Sequence, residues 1–333
     1  MGHRVLYYTL DGDIERANEM LDEMGHADDI ELVGCAHVPF AAPTAEQLKG
    51  CDGFIGEFAP VLGETVGAMA DAGVRVAASM SIGMNHMDVD GLEAHGVTVT
   101  NCPGYCAEDV ATHAIALMLD LMRKVTFTNR SVVGGAWDPK GGYEPYRTQG
   151  RTLGLVFFGN IARQVAPVAR ALGMRVLVWA PTKSAEVLAE AGCEKAETLE
   201  GLLRESDVVS LHCPLIAETE GLIGRRELAL MKPTAYLVNT ARGALVDEDA
   251  LADALDAAEA GEGGEPVDLG DGAMGTRGIR AAGLDVLVSE TAPNERLVSH
   301  PHCVVTPHSA YDSVEAADNL RRMSLESVCR VLC

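Results

Sequence analysis

Few stretches of this sequence combine residue types and spacing that suggest chemistry, and the plainest is TLGLVFFGNIARQVAPVARALG, residues 152–173. An apolar run turns at Gly159 into an amphipathic stretch, and RVLVWA (175–180) follows as a second strand. This is the setting of the fingerprint G-x-G-x-x-G/A, which brings backbone close to a dinucleotide pyrophosphate after a strand and before a helix. Gly159 stands at the middle glycine and Ala162 at the third position, but Phe157 occupies the tight-turn position. Half-matched in this way, the turn alone divides evenly between a dinucleotide site and an ordinary strand–helix connection. Cys102, Cys106 and His113 have metal-ligand types, yet they lack a second ligand pair. They are read as buried thiols and a packing imidazole, and no metal is expected. His300 and His302 flank a proline in a turn and are read as exposed, and Trp137 as the anchor of an arm or dimer contact.

The elements that must position these residues alternate along the whole chain. Short β-branched or apolar runs at 4–9, 31–38, 53–58, 75–80 and 97–101 are separated by helical patterns, the signature of βαβ units. The order changes at NCPGYC (101–106), and Glu108 to Lys124 then reads as one long apolar helix. Residues 131–151 show no period and read as a connection or arm. A second alternating series follows at 152–159, 175–180, 207–214, 235–240, 281–287 and 303–308, before a closing helical pattern from Ser313 to Leu332. One segment, 260–278, is dominated by glycine and acid, and is expected to be a solvated, mobile insertion.

Composition narrows the partners. Lys and Arg total 26 against 49 Asp and Glu, a net charge of −23, which disfavours nucleic acid and anionic membrane. The N-terminus lacks the sections of a signal peptide, and the most apolar stretch, AIALMLDLM, is broken by Asp120. Nine cysteines in a chain of this size read as reduced thiols of a cytoplasmic protein.

Several blocks together resemble the D-isomer-specific 2-hydroxyacid dehydrogenase family. They are GMNHMDVDGLEAHGVTVTNCPGYCAEDVATHAIAL, RTLGLVFFGNIARQVAPVARALGMRVLVWAP, SDVVSLHCPLIAETEGLIGRRELALMKPTAYLVNTARGALVDEDAL, AAGLDV and HCVVTPHSA, which cover most of residues 83–310 in the family's order. NTARGALVDEDAL is the most specific, and the wording around NCPGYCAEDVATHAIAL is nearest to the branch of the C-terminal-binding proteins and their bacterial relatives. The resemblance implies an α/β fold of two parallel-sheet domains, flavodoxin-like and Rossmann-like, with the cofactor domain inserted into the substrate domain. Residues 1–103 plus 309–333 would form the substrate domain, and 104–308 the dinucleotide-binding domain.

It further implies reduction of a small 2-oxo acid to a D-2-hydroxy acid with NADH or NADPH, in a homodimer. The family's catalytic arginine, glutamate and histidine match Arg242 of NTARG, Glu290 after GLDV, and His308 of TPH. A guanidinium can bind the substrate carboxylate and polarise its carbonyl, and an imidazolium can protonate the alkoxide that reduction leaves. A carboxylate beside that imidazolium favours its charged form and fixes its orientation. Backbone amides of Ser81, Ile82 and Gly83 match the family's substrate-carboxylate loop. Asn160 and Ile161 would join Gly159 at the pyrophosphate, on a helix N-terminus. Cys213, Pro214, Thr219, Thr240, Ala241, Asp285 and Ala310, with Arg242 and His308, would line the nicotinamide, Asp285 accepting from its carboxamide.

The sequence departs from the family at four places. Phe157 replaces the first glycine, Pro167 lies inside the cofactor helix and should kink it, and the pattern ends at Cys333 without the usual closing segment. At the end of the second strand, Ala180 stands where an acid commonly binds the ribose hydroxyls, and Thr182 and Lys183 follow. A cation and a hydroxyl there suit a 2′-phosphate, so NADPH is expected to serve at least as well as NADH. These departures also leave room for a second class of function, a dinucleotide sensor acting through protein contacts like the C-terminal-binding proteins. The complete triad favours the enzyme.

Overall fold

The computed structural model describes residues 2–333, which form two compact units, one running up to Cys106 and joined by 312–333, the other spanning 107–311. Both crossings lie three residues later than the sequence suggests. Tyr105 stays with the first unit because its carbonyl accepts from Asn319 Nδ2, and Ser309 and Ala310 stay with the second because their amides are bonded to Asp285.

In the first unit, β1 (His3–Thr9), β2 (Ile30–Ala36), β3 (Gly53–Gly56), β4 (Val76–Ser79) and β5 (Thr98–Thr100) make one parallel sheet in the order β2-β1-β3-β4-β5. That is the flavodoxin-like order. Side chains alternate across it: Val5 and Tyr7 pack towards helices Glu15–Met24 and Val314–Leu332, and Leu6 and Tyr8 towards the opposite face. Both faces are covered, so the strands read as continuous apolar runs rather than half-polar ones.

The second unit contains β6 (Thr152–Val156), β7 (Arg175–Trp179), β8 (Glu194–Lys195), β9 (Val208–Leu211), β10 (Tyr236–Asn239), β11 (Pro266–Asp268), β12 (Met274–Thr276), β13 (Ala281–Leu284) and β14 (Cys303–Val305). Seven of them form a parallel sheet in the order β14-β13-β10-β9-β6-β7-β8. The chain runs outward from β6 to β8, then returns to β9 on the other side of β6. This is the doubly wound order with its switch point between β6 and β9, where such sheets bind ligands. Helix Asn160–Ala171 runs unbroken through Pro167, which sits on its exposed face.

Segment 260–278 is largely exposed, as expected, but is not without regular structure. It folds into the β11–β12 antiparallel hairpin, whose Val267 is paired with Gly275. A Cβ at Gly275 would overlap the Ala229 carbonyl, so the hairpin lies directly on the helix Arg225–Leu230, and Thr276 Oγ1 donates to Met231 O at 3.2 Å. Arg226 pairs with Asp271 at 2.8 Å and Arg277 with Glu262 at 3.0 Å. Acid and glycine are here turn and ion-pair residues, which a search for apolar periodicity overlooks.

Candidate active site

Residues at the carboxyl ends of β10, β13 and β14, three neighbouring strands, carry the reactive side chains. After β10, Asn239 braces the turn with both ends of its amide: Nδ2 donates to Arg242 O at 2.9 Å, and Oδ1 accepts from Ala241 N at 3.0 Å. A Cβ at Gly243 would overlap the backbone of Leu287 and Val288, so only glycine lets this turn seat against the loop after β13. Arg242 is thereby fixed at its backbone. Its half-buried guanidinium donates to Ala241 O and forms no ion pair among the described residues, which leaves most of its five donors for a ligand.

Glu290 follows β13 and His308 follows β14, and Glu290 Oε1 lies 2.7 Å from His308 Nδ1. An ionised carboxylate only accepts, so Nδ1 is the donor and Nε2 is the nitrogen left to exchange a proton. His308 sits in the left-handed region with φ 52°, a conformation a β-substituted residue adopts only when its surroundings impose it. The surroundings are Asp285. Its carbonyl accepts from His308 N at 2.8 Å, and its carboxylate accepts from Thr306 Oγ1 at 2.5 Å, Ser309 N at 3.0 Å and Ala310 N at 3.0 Å. His113 Nε2, from helix Ala107–Arg123, bonds Thr306 Oγ1 at 2.9 Å and approaches Asp285 at 3.5 Å.

Chain similarity fits this geometry. Residues 115–263 match the family described as D-isomer specific 2-hydroxyacid dehydrogenase, NAD binding domain. A glyoxylate reductase of Thermococcus litoralis is 35% identical over 75% of this chain and 71% of its own length. The chain belongs to the D-isomer-specific 2-hydroxyacid dehydrogenases. Among solved structures, the TT0316 protein from Thermus thermophilus superposes with a TM-score of 0.80 at 32% identity, covering 99% of this chain and 96% of that one. D-lactate dehydrogenase with NAD+ from Lactobacillus jensenii gives 0.78 at 27% identity over 99% and 96%.

The switch point fits a dinucleotide. Gly159 is the N-cap of helix Asn160–Ala171 with no side-chain cap, it is exposed, and nothing stands within 4 Å of where its Cβ would be. Free amides of a helix's first turn and an open approach suit a pyrophosphate. Phe157, in the tight-turn place, adopts φ 72° despite its side chain, and its ring meets Trp179 edge-on at 5.7 Å. Farther along, Thr240 Oγ1 is buried with no hydrogen-bond partner, a hydroxyl that a bound amide could satisfy. Ala180 is buried and its carbonyl accepts from Lys183 N, closing a turn that leaves Thr182 exposed and Lys183 half-buried without an ion pair among the described residues.

The surroundings of the other positions are as follows. The Asp285 carboxylate is 1% exposed and is spent on the 306–310 loop, so its first task is to hold His308. Thr219 is buried, with its hydroxyl tying the turn 214–219 through Ile216 N and Pro214 O. Burial raises the Cys213 thiol to about 11, which suits a wall and not a nucleophile, while Pro214 beside it is exposed. His300 and His302 are buried, not exposed: His302 stacks edge-on against Tyr143 at 5.0 Å under the 131–151 segment. Trp137 is 88% exposed. Ser81 Oγ donates to Gly83 O and accepts from Ser79 Oγ at 2.7 Å, shaping the loop Ser81–Gly83 after β4 of the first unit. Sequence reasoning passed over Asn239, Thr306 and His212. Asn239 had a signal, a polar residue closing the apolar strand YLVN.

Proposed function

We propose that this chain reduces small 2-oxo acids to D-2-hydroxy acids, with residues 107–311 holding the nicotinamide cofactor. The observation that carries the reading is the 2.7 Å His308–Glu290 pair, on strand exits neighbouring that of Arg242, whose guanidinium is largely unspent. Gly159, Asn160 and Ile161 would hold the pyrophosphate, and Cys213, Pro214, Thr240, Ala241 and Ala310 would surround the nicotinamide. When bound, the reduced nicotinamide supplies a hydride to the carbonyl carbon.

Arg242 pairs with the substrate carboxylate and draws charge towards the carbonyl oxygen. His308, protonated before reaction, gives its Nε2 proton to that oxygen and ends neutral. Glu290 accepts from Nδ1 throughout, keeping the tautomer and the ring plane fixed. The amides of Ser81, Ile82 and Gly83 are proposed as donors to a substrate carboxylate. Glyoxylate is the proposed substrate class because of the glyoxylate reductase likeness, and the exposed Val133 and Trp137 support a homodimer. The test is consumption of NADH and NADPH with glyoxylate, hydroxypyruvate and pyruvate, with chiral analysis of the lactate formed. L-lactate, or no consumption with any of them, would overturn it.

A further inference from the structure

Outside the dehydrogenase machinery, one group of side chains has the composition of a metal site. A ring nitrogen of His26 and the Sγ atoms of Cys329 and Cys333 all lie within 4.8 Å of one another. We propose that these three residues bind one zinc-class cation, a soft-ligand clip that fastens the end of the closing helix to the first unit.

The spacing comes from two elements that are already fixed. Cys329 and Cys333 are four apart at the end of helix Val314–Leu332, which places both thiols on one helix face. His26 follows helix Glu15–Met24, where its amide donates to Leu21 O at 2.9 Å and its carbonyl accepts from Asp29 N and Ile30 N. Ion pairs lock the two helices together: Arg16 to Asp318 at 3.2 Å, and Arg322 to Glu23 at 2.7 Å. Two ligand atoms of a tetrahedral zinc stand roughly 3.5–4 Å apart, given bonds of about 2.3 Å to sulfur and about 2.0 Å to nitrogen. The three ligand atoms already lie within 4.8 Å of one another, and Cys333 is exposed and free to adjust.

One further feature favours a cation. Asp29 Oδ2 lies 2.9 Å from His26 Nδ1, so the carboxylate holds the proton on Nδ1 and leaves Nε2 as a bare donor, the usual second contact of a metal-bound imidazole. Zinc takes Cys329 and Cys333 as thiolates. Binding releases their two protons to solvent and forms two sulfur–metal bonds and one nitrogen–metal bond, with water in the fourth position. Cys2His with one water is a donor set for zinc and not for magnesium or calcium, which take oxygen.

The test is titration of the full-length, reduced, metal-stripped protein with Co2+ and then Zn2+. One equivalent of Co2+ should give thiolate-to-metal charge-transfer absorption and the visible bands of tetrahedral cobalt, and Zn2+ should abolish both. Zn2+ should also raise the melting temperature. Cys333→Ser and His26→Gln alter surface positions and should keep the fold, read by far-UV circular dichroism, yet each should weaken Zn2+ by about a hundredfold. Asp29→Asn should weaken it about tenfold. Absence of the charge-transfer band, or Zn2+ affinity unchanged in Cys333→Ser and His26→Gln, overturns the assignment. Reductase turnover in these variants should equal that of the unaltered chain, so failure of the zinc site and failure of the dehydrogenase reading are separate results.

Discussion

Replacing Asp285 by Asn removes a charge and one acceptor while leaving the side-chain shape intact. In the native chain its Oδ1 accepts from Thr306 Oγ1 and Ser309 N, and Oδ2 accepts from Ala310 N. An asparagine can keep the first two bonds with its carbonyl, but its NH2 then faces the Ala310 amide, donor against donor. Ala310 is 5% exposed and Asp285 1% exposed, so water does not repair the loss. A buried donor left unpaired costs about 1–3 kcal/mol, and the surviving bonds lose their charge assistance, so the sum is about 2–4 kcal/mol. Against a total stability of about 5–15 kcal/mol this is a large fraction. The same loop holds His308 at φ 52°, and once loosened it should relax, lowering kcat by about tenfold to a hundredfold. Urea denaturation gives the first quantity, and steady-state kinetics at saturating cofactor the second. Thr306→Val, which removes one hydroxyl bonded to both Asp285 and His113, should cost about 1–3 kcal/mol. If Asp285→Asn unfolds at the native urea midpoint with native kcat, Asp285 does not hold the loop.

Three other outcomes follow from particular residues. Lys183→Ala should lower kcat/KM for NADPH by about tenfold and leave that for NADH nearly unchanged, because the turn closed by Ala180 O presents its unpaired ammonium; equal effects on both would remove it from the 2′-phosphate. Burial pushes His212 down to about 4 from an unfolded value of 6.5, so its neutral form is favoured in the folded chain and stability is full above pH 6.5. It should lose up to about 3 kcal/mol as pH falls from 6.5 to 4, and His212→Gln should remove that part of the pH dependence in urea melts. Gly275→Val should lower the melting temperature by several degrees, because any Cβ there overlaps the Ala229 carbonyl; an unchanged value would mean the hairpin is not packed on that helix.

Apolar runs made the central strands of both parallel sheets legible, since those strands are buried on both faces, whereas the short, exposed β8 left no such pattern. The crossover boundaries were less so, because they depend on Asn319 reaching Tyr105 and on Asp285 gathering Ser309 and Ala310, contacts between residues far apart in sequence. The hairpin at 266–276 was invisible for a different reason: its order comes from Arg226, Arg277 and a glycine-only approach, none of which has a period. Arg242, Glu290 and His308 were found through resemblance, and their pairing at 2.7 Å came only with the fold. His26 is some three hundred residues from Cys329, and no spacing rule joins them.

The central claim is that His308, oriented by Glu290, delivers the proton in reduction of a 2-oxo acid. Its most direct measurement is glyoxylate reduction by His308→Asn against the unaltered chain, with cofactor binding followed separately by fluorescence. Loss of a positioned general acid should lower kcat by about 10²–10⁴-fold while cofactor affinity changes little. A variant that turns over within threefold of the unaltered chain would contradict the account.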